Sequence, residues 1–460
     1  MPAEVAMPRY GRIDPAKFEL KQVLPAFPVP MDKHMEEAAV LQGVIGRDVP
    51  VYMIENAKYY DRDGIYMYPD DAERFVFFCR SALEMLGRLG WYPDIIHCND
   101  WHTAIVPNWL KTIYRDNPLF ARTATLYTIH NLAYQGIFGH RVLEIAGIAE
   151  QGFMVHPEMV DLAEVVDLMA RGIYFADVIN TVSERYAQEI LTPEFGEKLD
   201  PLLRDRRERL FGIVNGVDYE VMDPATDRYI AQNYDVPHLE KRVANKTDLQ
   251  HEANLQQDPA VPLIGIISRL TDQKGFDILG DAIDHILDLD LQFVLLGTGD
   301  PHYHEMLSRI AQAYPGKVAI YLTFNASLAQ KIYAGTDMFL MPSRFEPCGL
   351  GQLIAMRYGS VPIVRATGGL ADTVQDFSPA TGEGDGFSFV RYDRWALFAT
   401  TVRALENYKY KETWHKLQVR GMMADFSWNA SARKYVDLYR RALDIHDQES
   451  IADGQKPAQG

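Results

Sequence analysis

The sequence predicts an α/β protein made of two doubly wound domains with parallel sheets. Its 460 residues are too many for one compact core, so two domains are expected. Short β-type runs alternate with helical patterns along the chain, as they do in repeated βα units. Residues 339–373 show a strand, a loop, a glycine-opened helix, a second strand and a second glycine-opened helix. This order places two helix N-termini at the carboxyl edge of a sheet, where such folds bind ligands.

Apolar, β-branched runs bounded by turn residues predict the strands. In the first half, the expected strands are 5–7, 51–54, 95–98, 125–129 and 178–180. In the second half, they are 263–267, 292–296, 318–321, 338–341 and 361–364. Helical patterns stand out at 72–89, 103–114, 414–425 and 431–445. We therefore expect a parallel sheet in each half of the chain.

A turn-rich stretch at 215–218, followed by Pro224, predicts the end of the first domain. We place the crossing to the second domain between this stretch and Lys241. The expected parts are a first domain at 1–225, a second domain at 241–425, a helix at 426–447 that returns to the first domain, and a disordered tail at 448–460.

Composition and charge exclude several classes of partner. The net charge of −17 argues against binding to nucleic acid or to anionic membranes. No apolar stretch reaches about 18 residues, and the N-terminus has no signal pattern. Cys79, Cys98 and Cys348 have no metal-ligand spacing and cannot form an even disulfide framework, so a reduced cytoplasm is expected. A phosphate-bearing substrate must then be held by local donors and a few cations.

The segment after strand 338–341 predicts an anion site. Residues 349–351 open one helix and residues 367–369 open the next. Backbone N–H groups and the dipole at a helix N-terminus favour negative charge, so a diphosphate is the expected ligand. Glu346 lies in the same loop. Because an acid repels a bound anion, we expect it to serve another part of the ligand, and sugar hydroxyls fit.

Two cations follow the strand at 263–267. Arg269 and Lys274 lie five positions apart in the loop that opens the next helix, so both can converge on one diphosphate. The alternative is that they form surface ion pairs with Asp272 and Asp277.

Other strand ends carry polar residues whose interpretation stays open. His97, Asp100 and His102 could indicate a metal site, but no H-x-x-x-H or cysteine pair completes it. Asp100 also fits a helix N-cap, or a polar cluster that meets a sugar. His130 is either structural or functional. The Gly-Thr-Gly-Asp stretch at 297–300 fits both a nucleotide contact and a tight turn without a ligand.

Eight motifs in one order carry a family resemblance. They are HCNDWH, TIHNLAYQG, NTVSERYAQEI, GIVNGVD, SRLTDQKG, LLGTGD, SRFEPCGLGQ and ATGGLADTV. This set strongly resembles the bacterial glycogen synthase and plant starch synthase family, and the resemblance runs from MPRYGRID to about residue 445. It implies a retaining glucosyltransferase of GT-B fold, with two Rossmann-like domains facing across a cleft. The implied donor is ADP-glucose and the implied acceptor is the non-reducing end of glycogen or another α-1,4-glucan, with no metal and no cofactor.

The resemblance also implies roles for single residues. Arg269 and Lys274 are expected to hold the donor phosphates, and Glu346 to lie against the glucosyl ring. The implied catalytic residues are Glu346, Arg269, Lys274, Asp100 and His130. The implied substrate-binding residues are Asn215, Cys348, Gly349, Leu350, Thr367, Gly368, Gly369 and Tyr66.

Two mechanisms and two rival functions remain open. Retention can use a carboxylate nucleophile or attack on the face that the leaving group vacates; no second carboxylate flanks Glu346, which favours the second. One rival is another retaining GT-B transferase. Many of those carry a glutamate eight residues after the first, where this chain has Ile354. The other rival is a truncated, non-catalytic glucan-binding relative.

The N-terminus departs from the family pattern. Family members begin with a strand and a K-x-G-G-L loop that precede the match to EVAMPRYGRID, and this chain starts at Met1. We therefore expect an incomplete first domain without its first strand and lysine loop, from an internal start site or a fragment. Neighbouring strands would stay unpaired around an open slot, and activity would be reduced.

Overall fold

The chain divides into two units that each contain parallel strands. The structure is a computed structural model that describes residues 2–152, 154, 156–159 and 164–452. The first unit holds the chain up to Asn180, Ile190–Phe211 and the chain from Val436. The second unit holds Thr181–Glu189 and Gly212–Tyr435.

The strands and helices alternate along most of the chain. The strands are β1 (Val5–Pro8), β2 (Lys21–Met31), β3 (His34–Ile45), β4 (Val49–Glu55), β5 (Ile95–Asn99), β6 (Ala124–Ile129), β7 (Ile137–Phe138), β8 (Val166–Asp167), β9 (Val178–Thr181), β10 (Leu210–Gly212), β11 (Leu263–Ile267), β12 (Gln292–Leu296), β13 (Val318–Tyr321), β14 (Met338–Met341), β15 (Val361–Arg365) and β16 (Phe387–Phe389). The helices are α1 (Ala57–Tyr60), α2 (Asp71–Leu89), α3 (Asp100–Thr103), α4 (Ile105–Leu110), α5 (Arg141–Ile145), α6 (Leu168–Phe175), α7 (Glu184–Glu189), α8 (Asp200–Asp205), α9 (Arg242–Glu252), α10 (Phe276–Leu287), α11 (Pro301–Ala313), α12 (Ala326–Gly335), α13 (Gly351–Arg357), α14 (Gly368–Thr373), α15 (Arg394–Tyr408), α16 (Lys411–Met423) and α17 (Trp428–Ala452).

The second unit is a doubly wound sheet with the order β13–β12–β11–β14–β15–β16, and every pairing in it is parallel. The residues of β12 are all buried, which explains its continuous apolar sequence. From β11 the chain first builds outward through β12 and β13, and then returns to the other side of β11 as β14. The β11–β14 pair is therefore the topological switch point, where open α/β sheets bind ligands.

Helices cover this sheet through apolar stripes. In α10, Phe276, Leu279, Ile283 and Ile286 recur at helical spacing and are buried in the largest cluster of the second unit. Asp300 begins α11 as an N-cap: its carboxylate accepts a hydrogen bond from His302 N at 2.8 Å. In the described part of the chain, every helix is too short or too polar to cross a lipid bilayer.

The first unit contains two larger sheets, with the orders β1–β4–β3–β2 and β10–β9–β6–β5. β1 pairs with β4 and β5 with β6 in parallel. The long antiparallel hairpin β2–β3 was not predicted from the sequence. Pro25, Pro28 and Pro30 argue against a strand, and β2 tolerates them because it lies at the edge of its sheet.

A cavity of about 160 Å³ lies beside β1 and β5. Each of these strands is an edge strand of its sheet. The cavity is also lined by side chains of α2, among them Phe78 and Leu86. The open slot that the sequence predicts in the first domain stays a prediction.

All ten predicted strands are present, within three residues at each end. The helix predicted at 103–114 is instead split into α3 and α4. The unit boundaries differ from the predicted domains: the chain enters the second unit at Gly212, and Thr181–Glu189 also cluster there. The last helix, α17, extends to Ala452, so residues 448–452 of the predicted tail are helical, whereas 453–460 lie outside the described residues.

We predict that Gly275→Ala destabilises the protein much more than Gly316→Ala. Both glycines have positive φ (77° and 73°), so alanine costs about 1–2 kcal/mol at either position. A Cβ at Gly275 would also lie 2.0 Å from the Pro342 carbonyl oxygen, whereas none lies near Gly316 among the described atoms. Urea unfolding of the two variants measures the difference, and equal losses would contradict the close approach of these two loops.

Candidate functional site

A cavity of about 170 Å³ opens at the carboxyl edge of the second unit's sheet, at the switch point. It is lined by the residues that follow β11 and β14 and by the start of α13. Five predicted site residues line it together: Arg269, Lys274, Glu346, Gly349 and Leu350.

Lys274 and Glu346 form a buried ion pair in this cavity. The Lys274 Nζ lies 2.6 Å from Glu346 Oε2, and the side chains are 16% and 7% exposed. Ser343 Oγ donates to the same carboxylate oxygen at 3.0 Å. Because Oε2 takes both bonds, Oε1 is the oxygen of Glu346 that is left for a ligand.

Arg269 is exposed, and its guanidinium has no hydrogen bond or ion pair with the residues that the structure describes. The alternative of surface pairing with acids is wrong here. Asp272 accepts a hydrogen bond from Tyr303, and Asp277 pairs with Arg344 at 2.6 Å. The cavity therefore has one cation bound to Glu346 and one cation available to an anion.

The loop before α13 presents backbone groups to this cavity. Gly349 has φ +71°, a left-handed conformation that glycine adopts without strain. Gln352 donates to the carbonyl oxygens of Cys348 and Gly349 and so fixes the turn. Burial raises the pKa of the Cys348 thiol to about 12, although a backbone hydrogen bond from Asn215 opposes the shift.

Asn215 carries an orphaned acceptor. Its Oδ1 is buried and has no hydrogen-bond partner among the described residues. Buried polar atoms are nearly always paired, so an exception calls for a missing partner.

The N-terminus of α14, the second glycine-opened helix, already binds a carboxylate side chain of the protein itself. Glu189 accepts hydrogen bonds from Thr367 Oγ1 at 3.1 Å and from Gly368 N at 3.0 Å. All three residues are buried. The expectation that the N-terminus of α14 binds the diphosphate is therefore corrected at Thr367 and Gly368, because the carboxylate of α7 occupies those donors.

Gly368 and Gly369 act instead through their contact with the Glu346 loop. Gly369 N donates to Glu346 O at 3.0 Å, and a Cβ at Gly368 would lie 2.0 Å from the same oxygen. The backbone of α14 therefore holds the loop that carries the cavity's carboxylate.

In the first unit, Asp100 and His130 form a pair at the ends of neighbouring strands β5 and β6. Asp100 Oδ1 accepts from His130 N at 2.8 Å, and His130 Nε2 lies 2.9 Å from Asn99 Oδ1. Asp100 begins α3 with φ 52° and does not cap it, so the N-cap alternative is wrong. Burial raises the pKa of Asp100, and His130 opposes the shift.

The remaining members of the histidine cluster do not converge on a metal among the described residues. His97 bonds to Tyr439 Oη at 2.9 Å and to Thr128 Oγ1 at 2.7 Å, as a structural residue. His102 stacks on Trp101 with ring centroids 4.0 Å apart. Burial lowers the pKa values of His97 and His102 to about 4. Tyr66 is exposed, and its ring lies 6.1 Å from that of His102.

Close backbone packing explains why glycine occurs at positions 297 and 299. A Cβ at Gly297 would lie 2.1 Å from Ser268 O, and one at Gly299 would lie 2.3 Å from Leu270 O. The backbone after β12 thus packs directly against the loop that carries Arg269.

Ser343 and Glu189 were not identified from the sequence. Ser343 follows β14 closely, three positions before Glu346, which is a signal that could have found it. Glu189 gives no such signal, because it meets Gly368 from 179 positions away in the chain.

Comparisons with known proteins agree with the motif resemblance. Residues 2–205 match the starch synthase catalytic domain, and residues 248–418 match glycosyl transferases group 1. A glycogen synthase of Desulforudis audaxviator is 49% identical over 453 residues, 97% of this chain and 89% of that protein. A glycogen synthase of Moorella thermoacetica is 51% identical over 443 residues, which are 96% of this chain and 89% of that protein. The catalytic domain of starch synthase IV from Arabidopsis thaliana, bound to ADP and acarbose, has a TM-score of 0.88 at 34% identity and covers 96% of this chain and 92% of its own.

The chain therefore belongs to the glycogen synthase and starch synthase family, as the eight motifs predicted. It is a glucosyltransferase with a GT-B fold.

We predict that Glu189→Ala destabilises the second unit. The substitution leaves Thr367 Oγ1 and Gly368 N buried without their acceptor, at a cost of about 1–3 kcal/mol for each group. Glu184→Ala on the same helix is the control, because that side chain is 67% exposed and should change stability by less than about 0.5 kcal/mol. Urea unfolding compares them, and equal stability of both variants would disprove the cap.

We predict that His97 lowers stability in mild acid. Its folded pKa of about 4 lies below the unfolded value of 6.5, so the unfolded state binds more protons between these values, and stability falls as pH falls through this window. His97→Gln should reduce the loss between pH 6.5 and 5 by roughly 1.6 kcal/mol. His140→Gln is the surface control, because that side chain is 46% exposed. The free energy of unfolding is measured at both pH values for each variant. If it depends on pH in His97→Gln as it does in the parent, the lowered pKa of His97 is contradicted.

Proposed function

We propose that this family member transfers glucose from ADP-glucose to the non-reducing end of an α-1,4-glucan such as glycogen, with retention of configuration. The observation that carries the proposal is the cavity at the switch point, where an unpaired arginine, a lysine and one carboxylate lie together among the described residues. The ADP bound to the Arabidopsis relative supports the choice of nucleotide. The relatives named as glycogen synthases support the choice of acceptor.

Arg269 and Lys274 hold the diphosphate in this proposal. A cation about 4 Å from a phosphate charge contributes on the order of 4 kcal/mol at an effective dielectric of about 20, before desolvation. Arg269 needs no rearrangement, because no described residue competes for its guanidinium. Lys274 is held in place by Glu346 and can share its remaining N–H donors with the phosphate. Backbone N–H groups of residues 349–351 add donors at the helix N-terminus.

Glu346, Asn215 and the backbone of Cys348 and Gly349 bind the glucosyl ring. Glu346 has one oxygen engaged by Lys274 and Ser343, and its other oxygen accepts from sugar hydroxyls. The orphaned Oδ1 of Asn215 accepts from another hydroxyl. In the first unit, we assign His130 and Tyr66 to sugar binding, with Asp100 fixing the backbone at His130.

The chemistry follows from this inventory. Glu346 is the one carboxylate among the described residues that line the cavity, and its pairing with Lys274 makes it a poor nucleophile. We therefore assign catalysis to stabilisation of the departing diphosphate by Arg269 and Lys274. The acceptor 4-hydroxyl attacks an oxocarbenium-like sugar on the face that the diphosphate leaves. Its proton passes to a diphosphate oxygen, so no protein base and no metal are needed.

Transfer of radiolabelled glucose to glycogen tests the reaction. ADP-glucose should label glycogen with a higher kcat/KM than UDP-glucose, and the product linkage should be α-1,4. Glycogen that binds without becoming labelled would instead support a non-catalytic glucan-binding protein. Labelling of a sucrose-type acceptor in preference to glycogen would support a different retaining transferase.

We predict that Arg269→Ala loses activity without losing stability. Removing one preorganised donor to a developing anion costs roughly 10²–10³ in kcat. The exposed side chain, unpartnered among the described residues, contributes nothing to folding, so the unfolding midpoint should stay that of the parent. Lys274→Ala should lose as much activity, with some destabilisation because it leaves Glu346 buried without its partner.

Lys331→Ala is the matched control, since this lysine pairs with Asp248 and Glu252 on the surface of the same unit. It should keep the parent's activity. If Arg269→Ala is as active as the parent, the assignment of the diphosphate to this cavity is wrong.

A further inference from the structure

A second cavity, of about 480 Å³, lies at the opposite edge of the first unit's sheet from Asp100 and His130. Its wall includes Thr125 at the start of β6, Asp177 directly before β9 and Arg209 directly before β10. This is the amino-terminal edge of the sheet, whereas Asp100 and His130 follow the carboxyl ends of β5 and β6. The proposed glucosyl transfer does not use it.

Basic side chains outnumber acids in this cavity, although the protein as a whole carries −17. The basic residues are Lys111, Arg115, Arg206, Arg209 and His446, and the acids are Asp177 and Glu449. A local excess of positive charge in an acidic protein is the feature expected of a site for a small anion.

The two acids are already saturated by neighbours. Asp177 accepts from Lys111 at 2.6 Å and from the N–H and hydroxyl of Thr125 at 2.7 Å each. Glu449 pairs with Lys111 at 3.1 Å and with Arg209 at 2.5 Å. His446 Nδ1 lies 3.5 Å from Asp177, which raises the pKa of His446.

Arg206 is left without an acid. Among the described residues it forms no ion pair; one terminal nitrogen donates to the Ala176 carbonyl, and Nε is buried without a partner. Burial and the neighbouring Arg209 lower the pKa of Arg206. An anion in the cavity would give the Arg206 guanidinium the charged partner that it lacks among the described residues, since an arginine fork fits a phosphate.

The cavity has room for more than a phosphate and has an aromatic wall. Tyr174 is 52% exposed beside it, and its ring is held edge-on by Phe175 with centroids 4.8 Å apart. A ring held in this way offers a face for packing against a sugar.

We propose that this cavity binds a small phosphate monoester that carries a sugar, with the phosphate on Arg206 and Arg209 and the sugar against Tyr174. The ligand chemistry is a phosphate dianion joined to a polyhydroxylated ring. The site is separate from the proposed donor cavity, so either proposal can fail alone.

Calorimetric titration of the full chain with ribose 5-phosphate, inorganic phosphate and ribose tests the proposal. Ribose 5-phosphate should bind most tightly, inorganic phosphate more weakly, and ribose undetectably. Arg206→Gln should weaken ribose 5-phosphate at least tenfold. Arg207→Gln is the matched control, because the Arg207 side chain is 68% exposed and lies outside the cavity, and this variant should bind like the parent.

Two further measurements distinguish a ligand site from a structural arginine and from the donor cavity. Arg206→Gln should unfold at the same or a higher temperature than the parent without ligand, because it removes an uncompensated charge; a lower temperature would make Arg206 a structural residue and overturn the proposal. Arg269→Ala should bind ribose 5-phosphate like the parent, and loss of binding there would assign the ligand to the donor cavity. If Arg206→Gln binds ribose 5-phosphate as tightly as the parent does, the proposed site is wrong. If the parent binds inorganic phosphate as tightly as ribose 5-phosphate, the proposed contact with the sugar is wrong.

Discussion

The buried ion pair between Lys274 and Glu346 is the interaction on which the candidate site depends. It joins the loop after β11 to the loop after β14, whose strands are neighbours in the sheet. Both side chains are largely removed from water, and this desolvation offsets most of the attraction between their charges. The pair therefore adds little net stability. The pair therefore serves geometry more than stability. It holds the lysine in place and engages one oxygen of the Glu346 carboxylate.

Close backbone contacts keep these loops at the distance that the pair requires. Gly275 lies against Pro342, Gly297 against Ser268, and Gly368 against Glu346, each so near that a Cβ would lie within 2.1 Å of a carbonyl oxygen. The glycines of the family motifs are thus explained by contacts between loops at least as much as by contacts with a ligand. Glu189 completes this framework, because its carboxylate accepts a hydrogen bond from Gly368 N at the start of α14.

The sequence predicted the second unit well because its strands are buried on both faces. Such strands appear as short, continuous apolar runs, and the residues after them were therefore assigned to one edge. Arg269, Lys274 and Glu346 were predicted in this way, and the structure brings them together. The sequence could not predict that Thr367 and Gly368 serve an internal carboxylate, since that depends on how α7 packs on α14. The β2–β3 hairpin was also not predicted, because the prolines of an edge strand look like those of a loop.

Local charge, not net charge, determines where this protein can hold an anion. At −17 the molecule as a whole repels nucleotide sugars and phosphate esters, so long-range steering cannot supply affinity. Both candidate anion sites place positive charge locally, and both do so with the same arrangement of residues. Each anchors a cation with a buried acid, Glu346 in one unit and Asp177 in the other, and each contains an arginine that forms no ion pair among the described residues, Arg269 in one and Arg206 in the other. In both proposals the anchored cations fix the shape of the site, and the arginine without an ion pair receives its charged partner from the ligand. The two proposals therefore concentrate binding energy at Arg269 and at Arg206, so substitution of one residue at each site can distinguish them.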